Sequence, residues 1–128
     1  MTKKTPDLVL GPLPVEAINK TLELELDEGD VVFTGAAQKH AASRHPDDYA
    51  KCLPHVAAIV ANPLYLGDDF ENEGKIELVG RPLGTPILVA VSIEKDARGR
   101  YHVVSVYPVS EGTIEGRRKK GRLKRTQQ

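Results

Sequence analysis

The chain has no tryptophan, two phenylalanines and a single cysteine among its 128 residues. Without tryptophan, a core has to be built from Leu, Val, Ile and Ala, and one domain of this length buries enough of them to fold unaided. A lone thiol, Cys52, excludes an internal disulfide and suits a reducing, cytoplasmic setting; its plainest reading is a buried helix residue. No apolar run approaches the roughly 18 residues of a membrane span. The start, MTKKTPDLVLGPLP, carries an apolar run too short for a signal peptide, with no small-residue cleavage site. Net charge is also lacking, with 18 basic and 18 acidic residues.

That neutrality hides an asymmetry. Arg117, Arg118, Lys119, Lys120, Arg122, Lys124 and Arg125 crowd the last stretch, opposed there only by Glu111 and Glu115. An acidic body with a basic end points to an anionic partner for that end, or to a solvated tail. Residues 1–20 read as an N-terminal arm with a short helix at Val15–Lys20, 21–116 as one α+β domain, and 117–128 as a basic C-terminal tail.

Within the domain, Leu22, Leu24 and Leu26 alternate with Glu23 and Glu25, the period of a half-buried strand. Asp27–Asp30 reads as a turn and Val31–Thr34 as a second strand, together a hairpin. Thr34 is suited to cap a helix over Gly35–Arg44, which Pro46 stops while opening the next helix with Asp47 and Asp48 in its first turn. Tyr49, Leu53, Val56 and Val60 form a buried stripe, Pro54 forces a kink or restart, and Asn62-Pro63 ends the helix. From Leu64 the pattern turns to strands: Ile76–Val79, then Ile87–Ile93 as a central strand buried on both faces. A polar loop from Lys95 to Arg100 leads to Tyr101–Tyr107. Strict alternation on that strand puts Tyr101, Val103, Ser105 and Tyr107 on one face and His102 on the other. Helices first and an antiparallel sheet afterwards make the class α+β, with N-terminal helices packed on a C-terminal antiparallel β-sheet.

The densest polar cluster is His40-Ala41-Ala42-Ser43-Arg44-His45-Pro46. His40 and Arg44, four apart, share a helix face, and His45 stands at a junction where its side chain leaves the helix axis. Imidazoles titrate near neutrality and a guanidinium pairs with phosphate, the equipment for cutting RNA with its own 2′-hydroxyl. The alternative is an exposed helix end that His45 merely caps. Zinc is disfavoured, because His40 and His45 are five apart and neither HExxH nor CxxC occurs; no metal or cofactor is expected. His55 and His102 read as surface or structural histidines. Ser105 and Tyr107 offer hydroxyls near a strand end, and Glu111 is either a general base or a loop carboxylate. Arg117, Arg118, Lys119, Lys120 and Arg122 form a sequence-blind RNA-binding set. Aromatic interleaving is absent there, leaving base stacking to Tyr65, Phe70, Tyr101 or Tyr107.

The succession His40…Arg44-His45-Pro46, a helix ending at Asn62-Pro63, Ile87-Leu88-Val89-Ala90-Val91 and Val103-Val104-Ser105-Val106-Tyr107 resembles the phage-associated Barnase–EndoU–Colicin–RelE-like nuclease domains. The resemblance runs from about Phe33 to Leu123. It implies N-terminal helices followed by a four-stranded antiparallel sheet. It also implies RNase activity of the kind found in phage, mobile-element and polymorphic-toxin proteins. By position it maps His40 with Arg44 or His45 onto the helix-borne polar residues, and Ser105 and Tyr107 onto the polar residues of the last strands. Pro54 and the N-terminal Leu22–Thr34 region depart from the pattern. The expectation is therefore a metal-independent endoribonuclease toxin whose catalytic set is His40, Arg44, His45, Ser105 and Tyr107, with RNA as substrate and an immunity or antitoxin protein as possible partner. The competing reading is a non-enzymatic RNA- or protein-binding module acting through the basic segment. A third is a phage structural protein or an inhibitor of host proteins.

Overall fold

The computed structural model describes residues 5–68 and 74–127. Its strands are β1 (Leu8–Pro12), β2 (Asp30–Phe33), β3 (Tyr65–Asp68), β4 (Lys75–Gly80), β5 (Ile87–Ser92), β6 (Tyr101–Pro108) and β7 (Leu123–Arg125). They form a seven-stranded sheet in the order β1-β2-β6-β5-β4-β3-β7. The α-helices are α1 (Val15–Leu22), α2 (Gly35–Arg44), α3 (Pro46–Cys52), α4 (Val56–Ala61) and α5 (Glu111–Lys119). The class is α+β, and β5 is the central strand that its apolar run requires, buried from Ile87 to Val91.

The sheet is mixed. Every neighbouring pair is antiparallel except β2 and β6, which run parallel through Val31↔Tyr101 and Val32↔His102. One face carries Val89, Val91, Ile76 and Leu78 and is covered by residues of α1 to α4, among them Ile18, Val56, Ile59 and Val60. The other carries Leu88, Ala90, Val79 and Tyr65 and is covered by Ile114 of α5.

Several sequence expectations change here. The arm and the tail belong to the body of the fold: β1 pairs with β2, and β7 pairs with β3. The backbone N–H of Gln127 donates to the buried Thr21 Oγ1 at 2.9 Å, tying the chain end to α1. A short arm or charged tail is ordered this way when a sheet edge offers it a hydrogen-bond ladder. Leu22–Leu26 is not a strand. Leu22 closes α1, Glu23 takes a left-handed conformation, and the segment then continues without regular structure, its leucines half-buried against the core. Its alternation is real, but no neighbouring strand pairs with it. Asn19 instead brackets Leu26, donating to its carbonyl at 3.1 Å and accepting its N–H at 2.8 Å. The hairpin expected with Val31–Thr34 is accordingly absent.

The helical half follows its signals closely. Thr34 caps α2 by accepting the Ala37 N–H at 3.2 Å, and His45 separates α2 from α3 with Pro46 in the first turn. Pro54 interrupts α3 and α4 with one turn of 3₁₀ helix, Leu53–His55. Cys52 is a buried helix residue, and burial pushes its thiol above the usual range.

Three further contacts set the position of α2. Asp7 Oδ1 accepts the Gly35 N–H at 2.7 Å, a carboxylate at the helix's positive end. Gly35 is required sterically, since a Cβ there would lie 1.9 Å from the Thr5 carbonyl oxygen. The buried Gln38 donates to the carbonyls of Pro6 and Phe33, each at 2.9 Å, and accepts the Tyr49 hydroxyl of α3 at 3.1 Å. Gln38→Ala leaves three partly buried groups unpaired and is expected to lower stability by about 2–3 kcal/mol. Thr34→Ala removes one cap and should cost about 1 kcal/mol. Urea denaturation checks the ranking, and equal losses would show that Gln38 is not the clamp on α2.

Candidate functional site

The parallel pairing of β2 with β6 ends after two residues, because the chain turns at Thr34 into α2. On the opposite edge, β6 pairs with β5 from His102 to Pro108. Among the described residues, no strand covers the β2-side edge of β6 beyond His102. A cavity of about 390 Å³ lies there, lined by His40, Ala41, Arg44, His45 and Asp48 from the α2–α3 elbow and by Val104 to Pro108 from β6. Alternate strand residues point to opposite faces, so five consecutive lining residues mean that the cavity runs along the strand edge.

All five residues singled out as catalytic, His40, Arg44, His45, Ser105 and Tyr107, line this one cavity. His40, Arg44 and His45 are solvent-exposed, whereas Asp48, Ser105 and Tyr107 are half-buried. His45 makes no side-chain capping bond at either helix. Among the described residues, the side chains of His40, Arg44, His45, Asp48 and Ser105 make no hydrogen bond or ion pair. Polar groups without protein partners around a solvent-reachable cavity are free to bind a ligand. Asp48 is a lining residue that sequence reasoning did not assign to the site; its place in the first turn after Pro46 was read as helix electrostatics.

The face assignment for β6 needs correction. Ala90 pairs with Ser105 and Val91 with Val103, leaving Val104 as an extra residue in a β-bulge. The bulge reverses the alternation. Tyr101, Val103 and Val106 pack in the larger core, while Tyr107 packs with Leu88 and Ala90 on the α5 side. Ser105, opposite Ala90, shares that side. The bulge also leaves Val104 38% exposed at the cavity.

On the α5 side, the Glu77 carboxylate of β4 accepts two hydrogen bonds from Arg117, at 2.8 and 2.9 Å. Burial alone would lower the Arg117 pKa, but Glu77 and then the Tyr107 hydroxyl reverse this and raise it. Arg117 is therefore paired with a buried carboxylate, and its charge is already compensated within the protein. Among the RNA-binding set expected from sequence, it is the member paired with a buried carboxylate. Of the remainder, Arg118 lies 5.1 Å over the Tyr65 ring and near Glu115, and Lys119, Lys120 and Arg122 are exposed. With Lys124 and Arg125 they make the edge around β7 basic. β7 stands four strands from β6, roughly 19 Å at the usual strand spacing.

Glu111 starts α5 rather than lying in a loop, and its two oxygens accept from Arg81 at 3.0 and 2.8 Å. That pairing removes it as a free base. Tyr65 and Tyr101 are buried, the latter donating its hydroxyl to the Asp27 carbonyl, so neither offers an open face for a base. Phe70 lies outside the described residues. His102 lies away from the cavity, its Nε2 2.7 Å from Asp96 Oδ2. The hydrogen bond with His102, with further bonds from the loop, holds the Asp96 carboxyl well below the usual carboxylate range. His55 sits in the 3₁₀ turn after α3.

A larger depression of about 620 Å³ lies between the β1–α1 turn and the loop at Gly99. Its charged lining is Glu16, Glu28 and Asp30 against Arg98 and Arg100, a balance that repels a phosphodiester. Among the described residues, no group of three or more His, Cys, Asp or Glu is placed to hold a metal ion, and no helix is long and apolar enough to cross a membrane.

A family model described as phage-Barnase-EndoU-ColicinE5/D-RelE like nuclease3 matches residues 9–116, which takes in every residue that lines the cavity and leaves out β7. No curated protein and no solved structure matches the chain.

The Glu77–Arg117 pair yields a prediction. Glu77→Leu strands a guanidinium that is only 31% exposed. The expected loss is about 2 kcal/mol, below the roughly 3–5 kcal/mol for breaking a fully buried pair. The double variant Glu77→Leu/Arg117→Met should recover most of it. Failure of the second change to rescue the first would show that the pair does not act as a unit.

Proposed function

The chain belongs to the phage-Barnase-EndoU-ColicinE5/D-RelE like nuclease3 family, and from that membership we propose that it is a metal-independent endoribonuclease of toxin type. The observation that carries this reading is the single cavity lined by His40, Arg44 and His45, none of which has a protein partner among the described residues, and by the β6 edge that carries Ser105 and Tyr107. Such a set supplies what RNA self-cleavage needs. One histidine, His40 or His45, removes the proton from the 2′-hydroxyl as its oxygen bonds to phosphorus. The bond from phosphorus to the 5′-oxygen breaks, and the other histidine protonates that leaving oxygen, so the products are a 2′,3′-cyclic phosphate and a free 5′-hydroxyl. Arg44 balances the charge that builds on the phosphorane, and Ser105 and Tyr107 orient the substrate.

The basic edge at Lys119, Lys120, Lys124 and Arg125 suits the flanking backbone. At about 3.4 Å per stacked nucleotide, the roughly 19 Å between β6 and β7 spans five or six nucleotides. This contact reads no sequence and weakens with salt. An enzyme that cuts cellular RNA in the cytoplasm calls for restraint, and an immunity or antitoxin protein that blocks the cavity is the partner this reading implies.

The test uses purified protein and total RNA in excess chelator. Cleavage that persists under chelation, ends in a cyclic phosphate and falls at least a hundredfold in His40→Ala or His45→Ala is the expected outcome. A substrate with 2′-O-methyl groups should resist. RNA that is bound but left intact, with binding lost on neutralising Lys119, Lys120, Lys124 and Arg125, would instead establish the non-enzymatic binding module.

A further inference from the structure

The cavity holds two features that cleavage of a phosphodiester does not use. Asp48 is its only acidic lining residue; it is half-buried and, among the described residues, has no hydrogen-bond or ion-pair partner. A carboxylate repels a phosphate, so Asp48 works against the proposed chemistry unless it faces another part of the substrate. The second feature is apolar. Ala41, Val104, Val106 and Pro108 line the same space, and the bulge turns Val104 outward into it. At about 390 Å³ the cavity falls in the range of roughly 300–1,000 Å³ that seats a small organic ligand, more than one phosphate fills.

We propose that this cavity also reads the base of the nucleotide whose 2′-hydroxyl attacks, and that Asp48 selects guanine there. This rests on the nuclease reading for the position of the phosphate. The apolar wall seats a flat ring, and the carboxylate reads its edge. An ionised carboxylate only accepts hydrogen bonds, through two oxygens suited to a bidentate donor pair. Guanine alone among the four bases offers two adjacent donors, N1–H and the N2 amine, on its Watson–Crick edge. Adenine and cytosine set one amine beside a ring-nitrogen acceptor, and uracil sets one N–H between two carbonyls. Each of these turns a lone pair toward the second carboxylate oxygen. Arg44 on the last turn of α2 and Asp48 on the first turn of α3 thus divide the substrate between them, the cation taking phosphate and the anion taking base.

The experiment compares kcat/KM for the dinucleotides GpC, ApC, CpC, UpC and the inosine analogue IpC, which lacks the N2 amine. The expected order has GpC ten- to a hundredfold above ApC, with IpC between them. In Asp48→Asn, which preserves side-chain volume, the GpC-to-ApC ratio should fall at least tenfold, with folding verified by circular dichroism. A flat profile across the five substrates, unchanged in Asp48→Asn, overturns base selection and leaves the nuclease reading intact. If no dinucleotide is cleaved, direct binding of 3′-GMP and 3′-AMP decides the matter. Preference for 3′-GMP that Asp48→Asn abolishes sustains base selection while the cleavage reading fails. Equal binding of the two nucleotides overturns it.

Discussion

Strand β6 is hydrogen-bonded to β5 along nearly its whole length on one side, but to β2 at only two residues on the other. That unequal pairing creates the cavity. Had β2 continued, a sheet interior would occupy the place where α2 and α3 meet. Instead Thr34 ends the strand, and Asp7, Gly35 and Gln38 anchor the start of α2 against the chain just outside β1. The helix then carries His40, Arg44 and His45 past the uncovered edge. An uncovered strand edge is a liability that proteins usually cover or charge. Here a bulge at Val104 and a cluster of ionisable groups stand beside it, which fits use of that edge for binding.

The electrostatics divide the molecule into two regions. Along the α5 face, cations are committed: Arg117 to Glu77, Arg81 to Glu111, and Arg118 over the Tyr65 ring. At the cavity, Arg44 and both histidines are uncommitted among the described residues. Tyr107, which helps raise the Arg117 pKa, lies on the β6 edge that also lines the cavity. A basic composition at the chain end therefore does not translate into uniform RNA affinity. Arg117 is paired with Glu77 on the sheet face, and the exposed Lys119, Lys120, Lys124 and Arg125 remain available to a polyanion.

Local signals carried much of this architecture. Thr34, Pro46, Pro54 and Asn62-Pro63 marked helix boundaries correctly because each acts within a few residues, through a cap, a missing N–H or a fixed dihedral. The apolar run of β5 named the central strand for the same reason. What escaped was long-range. The alternation at Leu22–Leu26 reports one-sided burial, which a helix end and the irregular segment after it satisfy on the core without a strand partner. Residues 1–20 and 117–128 read as an arm and a tail because strands as short as β1 and β7 acquire order only from an edge supplied far away in the chain. The bulge at Val104 leaves no mark in an apolar stretch, so the face of Ser105 was read one step out of phase. His40, Arg44 and His45 were legible because they crowd together in sequence; Asp48, ordinary in a first helical turn, was not.

The central claim is that the α2–α3 elbow and the open edge of β6 together hold a phosphodiester, and the four histidines provide an internal control. His40 and His45 line the cavity, while His55 and His102 do not. Titrating the protein with a 2′-deoxy dinucleotide, which binds without offering the attacking hydroxyl, and following the imidazole resonances reads this directly. The account predicts saturable shifts at His40 and His45, with His55 and His102 unmoved. Shifts confined to His102 or His55, or none at saturating ligand, would contradict it.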